Sequence, residues 1–475
     1  MSPLSRILLV TACTALVTAC AVGPNYHRPA AATGASFKEL GDWKPSEPAD
    51  TLDRGPWWQI FKDPVLEQLE QQIEVSNQTL KQAIDSYRQA EALVHQGEAG
   101  FWPSINGTAS YTRQKGSSIA VLPSGAASTQ TNTYSAGASA SWTLDVFGQV
   151  RRTVESDFSA AQSAAAAVAG TRLLEQATLA QDYFNLRAQD ELKRILDQTV
   201  DDEQKSLKIT QNQYAVGVAA KADVVTAQTQ LLASQAQQIN AGITRATLEH
   251  AIAVLIGKVP SEFSLAVEDR MPAEVPTVPA GVASTLLERR PDIAEAERKM
   301  QQENALIGVA IAAYFPSLTL AGSGSYQSST LSNLFTASNR VWSFGPELAL
   351  SLFDGGLRRA ETAQARAVYD QSVDNYRQTV LTAFQQVEDD LATLRILEQQ
   401  ASVEDETVKM AKEAERLVLN QYKAGTVPYS SVITAQNTTF SAEQAALTVL
   451  QTRLTTSIAM IEALGGGWTT RELPK

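Results

Sequence analysis

One half of this chain is a rewritten copy of the other, and that limits its fold more than any other feature. Tyr214-Ala215-Val216-Gly217 returns as Tyr422-Lys423-Ala424-Gly425, an offset of 208 residues (214 to 422). The same offset carries Val224-Val225-Thr226-Ala227-Gln228 onto Val432-Ile433-Thr434-Ala435-Gln436, and Gly257 onto Gly465. Solenoid units run about 20–50 residues, so this is a duplicated half-protein. Whatever one half contains, the fold contains twice.

Each half holds two segments that alternate with period two, as strands with unlike faces do. Ile105, Gly107, Ala109 and Tyr111 oppose Ser104, Asn106, Thr108 and Ser110. Tyr134, Ala136, Ala138, Ala140, Trp142, Leu144 and Val146 oppose Ser135, Gly137, Ser139, Ser141, Thr143 and Asp145. Leu318, Leu320, Gly322, Gly324 and Tyr326 oppose Thr319, Ala321, Ser323 and Ser325. Trp342, Phe344, Leu348, Leu350 and Leu352 oppose Ser343, Gly345, Glu347, Ala349 and Ser351. Segments of about 10–13 residues with one apolar and one polar face suit a tilted bilayer crossing, lipid on one side and water on the other. Phe101, Trp102, Tyr111, Tyr134, Tyr314, Phe315, Tyr326 and Trp342 sit near the segment ends, where interfacial girdles lie. A half-buried soluble sheet alternates in the same way; the matched lengths and the N-terminus described below favour the membrane. Arg113–Thr133 and Gln327–Arg340, rich in Gly, Ser, Thr and Gln, read as external loops. Four strands cannot close a barrel, which takes about eight, and open edges are not tolerated in lipid. The barrel must therefore be shared between copies, and three copies, giving twelve strands, leave an aqueous lumen.

No later stretch is long and apolar enough to be a transmembrane helix. The N-terminus has Arg6, an apolar run from Ile7 and small residues, the pattern of a secretory signal. Val-Thr-Ala-Cys occurs twice. Cleavage before Cys13 would leave too short an apolar core, so Cys20 is read as the mature N-terminus, against the alternative of an ordinary signal in which Cys20 is incidental. Val17-Thr18-Ala19-Cys20 resembles a bacterial lipobox, which implies an acylated (palmitate-bearing) Cys20, and Ala21 after it favours the outer membrane. Both cysteines lie in the first twenty residues, and the mature chain keeps Cys20 alone, acylated, so no disulfide is expected. A net charge of −12 argues against nucleic acid, which needs a basic face.

The run from about Gly148 to Gln213 has no Pro, and neither has Leu357 to Gln421. At 1.5 Å per residue each makes a rod of about 100 Å. Val373, Val380, Val387, Leu394, Ala401 and Val408 recur every seven residues, the seam of a left-handed coiled coil. Each rod turns at its glycine and returns as a helix half as long, Lys221–Ile256 and Ser430–Leu464. Helical stretches Leu66–Glu98 and Pro291–Ala313 precede the first and third strands, and each is the right length to stack end to end on a returning helix.

These residues also resemble the outer membrane factor (TolC) family, in its NodT-like lipoprotein branch. The resemblance lies in Cys20-Ala21-Val22-Gly23-Pro24-Asn25-Tyr26-His27-Arg28-Pro29, in the junctions Trp142-Thr143-Leu144-Asp145-Val146-Phe147-Gly148 and Leu352-Phe353-Asp354-Gly355-Gly356, and in Leu286-Leu287-Glu288-Arg289-Arg290-Pro291-Asp292-Ile293 followed by Tyr314-Phe315-Pro316-Ser317. It implies a homotrimer with a twelve-stranded transmembrane β-barrel and a periplasmic α-helical barrel. The implied partners are a periplasmic adaptor (membrane fusion) protein and an inner-membrane pump, commonly of the resistance-nodulation-division type. The hairpin turns would then be the pore entrance and adaptor-docking surface: Tyr214, Gly217, Lys221 and Asp223 in the first, Tyr422, Gly425, Thr426 and Pro428 in the second. Family members commonly carry a ring of carboxylates after the second glycine. This chain departs from that, with no acid from Gly425 to Glu443. Asp223 is either a helix cap or a pore-lining acid. Tyr214 and Tyr422 either pack in the helix seam or tether a closed tip.

The junctions have a local physical reading as well. Asp354 precedes a helix start, where a carboxylate meets free N–H groups, and Pro291 fits a first helical position.

The expected organisation is a signal over 1–19, an anchored extended segment over 20–62, a first repeat over 63–257, a linker over 258–290 containing Pro260, Pro272 and Pro276, a second repeat over 291–464 and a tail over 465–475. The repeats carry strands at about 101–113 and 133–147, and at 316–327 and 340–353. The scattered His27, His95 and His250 make no metal site, and no nucleophile–base pair or phosphate loop stands out, so neither catalysis nor a cofactor beyond the lipid is expected. The expected function is the outer-membrane channel of a tripartite efflux system. The alternatives are a type I protein-secretion channel and, from another class, a non-conducting trimeric surface stalk or adhesin.

Overall fold

The computed structural model describes residues 21–30, 37–40, 56–115, 130–268, 271, 275–276 and 289–474. In chain order the elements are α1 (Pro64–Ser76), α2 (Gln78–Glu98), β1 (Ser104–Lys115), β2 (Gln130–Leu144), α3 (Gln149–Ala215), α4 (Lys221–Leu255), α5 (Pro291–Ala312), β3 (Ser317–Ser328), β4 (Arg340–Ala349), α6 (Leu357–Lys423) and α7 (Tyr429–Ala463). The two long helices have 67 residues each and the two returning helices 35 each. All four begin and end at positions separated by the same offset that relates the two sequence motifs. β1 and β2 extend further toward their loop than expected, to Lys115 and Gln130, whereas β2 and β4 stop earlier at the junctions, at Leu144 and Ala349, so Val146, Leu350 and Leu352 lie outside the strands.

Contacts divide the chain into two compact units, and α2, α3, α5 and α6 contribute to both. The first unit, whose described residues fall in 21–30, Tyr87–Ala164 and Ala296–Tyr376, contains one antiparallel sheet in the order β1-β2-β3-β4. Its register pairs like face with like. Ser110 lies opposite Ser135, Ser139 opposite Ser323, and Ser323 opposite Ser343. On the other face Tyr111 lies opposite Tyr134, Trp142 opposite Leu320, and Leu318 opposite Leu348. A slip of one residue would mix the faces, so the alternation itself fixes the register. β1 and β4 are the edges, and Pro346 sits on β4, where a missing N–H is tolerated.

The second unit, within Ala31–Ser86, Ala165–Glu295 and Arg377–Lys475, holds the main apolar core. Trp57, Leu66, Ile73, Phe184, Ile252, Leu454 and Ile458 are buried in it. Of the seven-residue series, Val380, Val387 and Leu394 are buried here, while Ala401 and Val408 are half-buried.

One expectation fails in this unit. Leu66–Glu98 is not a single helix but two, broken at Asn77, whose backbone is extended (φ −60°, ψ 125°). The break serves a joint. The Asn77 Oδ1 accepts from the Leu80 N–H at 2.8 Å, and its Nδ2 donates to the Leu255 carbonyl at the end of α4 at 2.8 Å. The second half builds the same joint differently. Arg290 Nη1 donates to the Ala463 carbonyl at 2.9 Å, and the rest of the guanidinium clasps Asp292 at the start of α5. Returning helix and short helix thus meet end to end in both repeats. Gly257 and Gly465 follow these joints with positive φ, and a Cβ on either would overlap the backbone oxygen of Ser76 or Arg289.

Candidate functional site

The residues that the sequence singles out gather in two regions, one in each unit. In the first, the polar face of the sheet is a hydroxyl lattice. Ser110 meets Ser135 at 2.8 Å, Ser323 meets Ser343 at 2.8 Å, and Thr143 meets Thr319 at 3.2 Å. The opposite face exposes Ile105, Trp342, Phe344 and Leu348. At both strand-to-helix junctions an aspartate and an arginine hold the bend. Asp145 accepts from the Val150 and Arg151 N–H groups and pairs with the Arg151 guanidinium at 3.1 Å. Asp354 accepts from the Gly356 and Arg358 N–H groups and pairs with Arg358 at 2.5 Å. Each arginine also reaches a strand-end carbonyl, of Asp145 or of Ser351. Helix N-terminal dipole and carboxylate reinforce each other here. The ring of Phe147 stacks on that of Phe315 at 4.7 Å beside the first junction.

In the second unit the two hairpin turns lie side by side. Gly217 and Gly425 both adopt positive φ (79° and 74°), closing the long helices with left-handed caps. The Gly217 N–H donates to the Tyr214 carbonyl and the Gly425 N–H to that of Tyr422. Gln213 Nε2 donates to the Tyr422 carbonyl at 3.2 Å and links one turn to the other. Tyr422, Tyr429 and Val432 form a small core with Ala227. The Tyr422 hydroxyl bonds Thr210 at 3.0 Å, and its ring lies 5.3 Å from that of Tyr429. Burial pushes the Tyr429 phenol up to about 12.

The two tyrosines are not equivalent. Tyr422 is buried, but Tyr214 is 47% exposed, and Val216 and Val218 beside it are exposed at 75% and 65%. The offset explains it: the counterpart of Tyr429 in the first repeat is Lys221, which offers no ring to pack against. Thr426 is exposed and its hydroxyl donates to the Gln421 carbonyl at 3.0 Å. Pro428 is the residue before α7. Asp223 is not at the N-cap; that position is Ala220. Asp223 sits three residues later, and its carboxylate accepts from the Ala220 N–H at 3.1 Å. Val216 and Val218 escaped the sequence reading, although two valines flanking a turn glycine were the available signal.

Cys20 lies outside the described residues, but the residues after it are pinned. The Val22 N–H donates to the Phe147 carbonyl at 3.1 Å. Arg152 donates to the carbonyls of Val22 and Gly23 and to Asn25, and Asn304 donates to the Pro24 carbonyl. Among the described residues no cluster could hold a metal ion, and no helix is long and apolar enough to cross a membrane.

The family described as outer membrane efflux protein matches residues 69–258 and 282–466, the two repeats in turn. This chain belongs to that family. It is accordingly an outer-membrane channel of an efflux system. The probable efflux pump outer membrane protein TtgC of Pseudomonas putida KT2440 is 31% identical over 479 residues, covering 98% of this chain and 96% of that protein. The cation efflux system protein CusC of Escherichia coli K12 is 29% identical over 468 residues, with 98% and 100% covered. Among solved structures, the outer-membrane channel OprN superposes with a TM-score of 0.87 at 28% identity, over 94% of this efflux-family chain and 100% of its own.

Proposed function

We propose that three copies of this chain form a passive exit duct, which an energised inner-membrane pump of the resistance-nodulation-division type feeds through a periplasmic adaptor. The observation that carries the trimer is the sheet: four strands with sorted faces and two free edges. Such edges need partners in lipid, and twelve strands leave a lumen lined by the hydroxyl face. For the adaptor, the hairpin turns offer a contact, led by the exposed Tyr214, Val216 and Val218 around Gly217, with Lys221, Gly425, Thr426 and Pro428 beside them. Asp223 is tied to its own helix start, which supports a capping role over a selectivity ring. TtgC and CusC serve differently named systems at similar identity to this chain, which supports placing cargo choice in the pump.

The pinned residues Val22–Asn25 run beside Phe147 at the foot of β2. A lipid on Cys20 would emerge there, where strand gives way to helix and the membrane should end. The deciding experiment is reconstitution of the purified mature protein in planar bilayers, with affinity capture of its inner-membrane partner. Discrete conductance and capture of an adaptor with a proton-driven pump are expected. An absence of conductance would overturn the duct, and capture of an ABC exporter would turn it into a protein-secretion channel. Radiolabelled palmitate should enter the parent and not Cys20→Ser.

A further inference from the structure

The outer end of the sheet has a charge pattern opposite to that of the chain. The protein carries 51 acidic against 39 basic Lys and Arg residues. Yet from Phe101 to Leu144, and again from Tyr314 to Pro346, there is no acid at all, and the charged residues are Arg113, Lys115 and Arg340. All three lie at the loop ends of β1 and β4, and all are exposed. Among the described residues none of them has an acidic partner; Arg113 donates only to Gln130, at 2.9 Å.

Their parity matters more than their number. The register is unbroken through the Lys115–Gln130 and Tyr326–Arg340 pairs. Arg113 and Lys115 therefore share a face with Ile105 and Tyr111, and Arg340 shares one with Trp342 and Phe344. This is the apolar face, not the hydroxyl face. On each edge strand an aromatic residue is followed, two positions outward, by an arginine. Tyr111 packs against Tyr134 at 4.7 Å and Tyr326 against Phe335 at 5.5 Å, which marks the interfacial belt. A cation just beyond that belt on the lipid side is at headgroup level, where a basic cluster attracts anionic lipid. Charges meant only for solubility or for cargo would do as well on the lumen face, which carries none of the three.

We propose that Arg113, Lys115 and Arg340 form a docking surface for the phosphate groups of phosphorylated glycolipid in the outer leaflet. The proposal rests on the membrane reading. Because the two basic clusters lie on opposite edges, barrel closure would bring Arg340 of one copy toward Arg113 and Lys115 of the next, so that one lipid phosphate bridges a protomer boundary.

The test uses the full mature protein in neutral detergent, with its thermal midpoint read by loss of the trimer. Diphosphorylated lipid A should raise the midpoint; dephosphorylated lipid A and inorganic phosphate should not. The R113Q/K115Q/R340Q variant should lose at least half of that rise, while R113K/R340K should keep it. An equal rise with the dephosphorylated lipid, or with inorganic phosphate, or an equal rise in parent and triple variant, overturns the proposal. Should the triple variant fail to assemble, salt decides on the parent. Screening shortens from about 10 Å at 0.1 M to about 3 Å at 1 M, so the rise should collapse, and a rise undiminished at 1 M overturns the proposal. Bilayer conductance of the same samples separates failure of lipid docking, with conductance intact, from failure of the channel itself.

Discussion

At the residue scale, the groups that hold the second unit together were invisible in the sequence. Arg187 and Asp190 lie three apart on a helix and look like a surface pair, yet they are 2% and 3% exposed. Arg187 donates to Asp190 at 3.2 Å, to the Ala266 carbonyl at 2.7 Å and to Glu268 at 2.9 Å. Arg245 adds a bond to Asp190 at 2.6 Å and one to the Leu265 carbonyl. The linker between repeats is thus fastened by Arg187 from 79 and 81 positions away and by Arg245 from 20, which no local pattern can announce. Asp190→Ala removes the buried carboxylate that the two arginines share, leaving Arg187 with Glu268 and Arg245 with Glu249, and should lower the thermal midpoint; Asp190→Asn should lower it less. Glu70 is a second case. It sits between Glu67 and Glu74 like any surface acid, but it is fully buried, and neither carboxylate oxygen has a partner among the described residues. Burial first, then the charge of Glu74, pushes its carboxyl up to about 9. The folded state therefore holds a proton that the unfolded chain releases above its ordinary value near 4.5, so stability falls as pH rises from there toward 9. Glu70→Gln should flatten that slope. Between pH 5 and 8 it should gain on the parent by at least about 1 kcal/mol, and thermal melts that shift in parallel at all pH values would refute it.

At the element scale the sequence was far more legible, because period and offset are local properties. Ser and Thr alternating with apolar residues announced four strands, and the repeated turn motifs announced helices of equal length. What stayed hidden were the joints. Asn77 reads as a tolerable helix residue until the Leu255 carbonyl, 178 positions on, makes its side chain a connector. Gly465 and Gly425 show how context separates like residues. Both have positive φ, so alanine at either is strained by about 1–2 kcal/mol. Around Gly425 a Cβ would meet open space, whereas at Gly465 it would overlap the Arg289 backbone. Gly465→Ala should therefore destabilise by clearly more than Gly425→Ala, measured side by side in thermal melts, and equal losses would mean that the α7–α5 joint yields.

At the scale of the whole molecule, the sheet determines what the chain is for, and two neighbouring residues put it to the test. Ser343 and Phe344 are consecutive on edge strand β4, so their side chains point to opposite faces. Ser343 belongs to the hydroxyl lattice through Ser323, while Phe344 is 73% exposed on the face that carries Trp342 and Leu348. If three sheets close with the hydroxyls inward, Phe344 meets lipid and Ser343 meets water. An arginine facing lipid near the bilayer midplane costs about 2–4 kcal/mol, whereas one in the lumen is hydrated. Three copies multiply the difference. Phe344→Arg should abolish stable trimer in outer-membrane fractions. Ser343→Arg should assemble normally, and its ring of cations should shift conductance away from cations and toward anions. The reverse result, with Phe344→Arg tolerated and selective and Ser343→Arg unable to insert, would turn the barrel inside out. Loss of both would mean that this strand lies in no lipid at all.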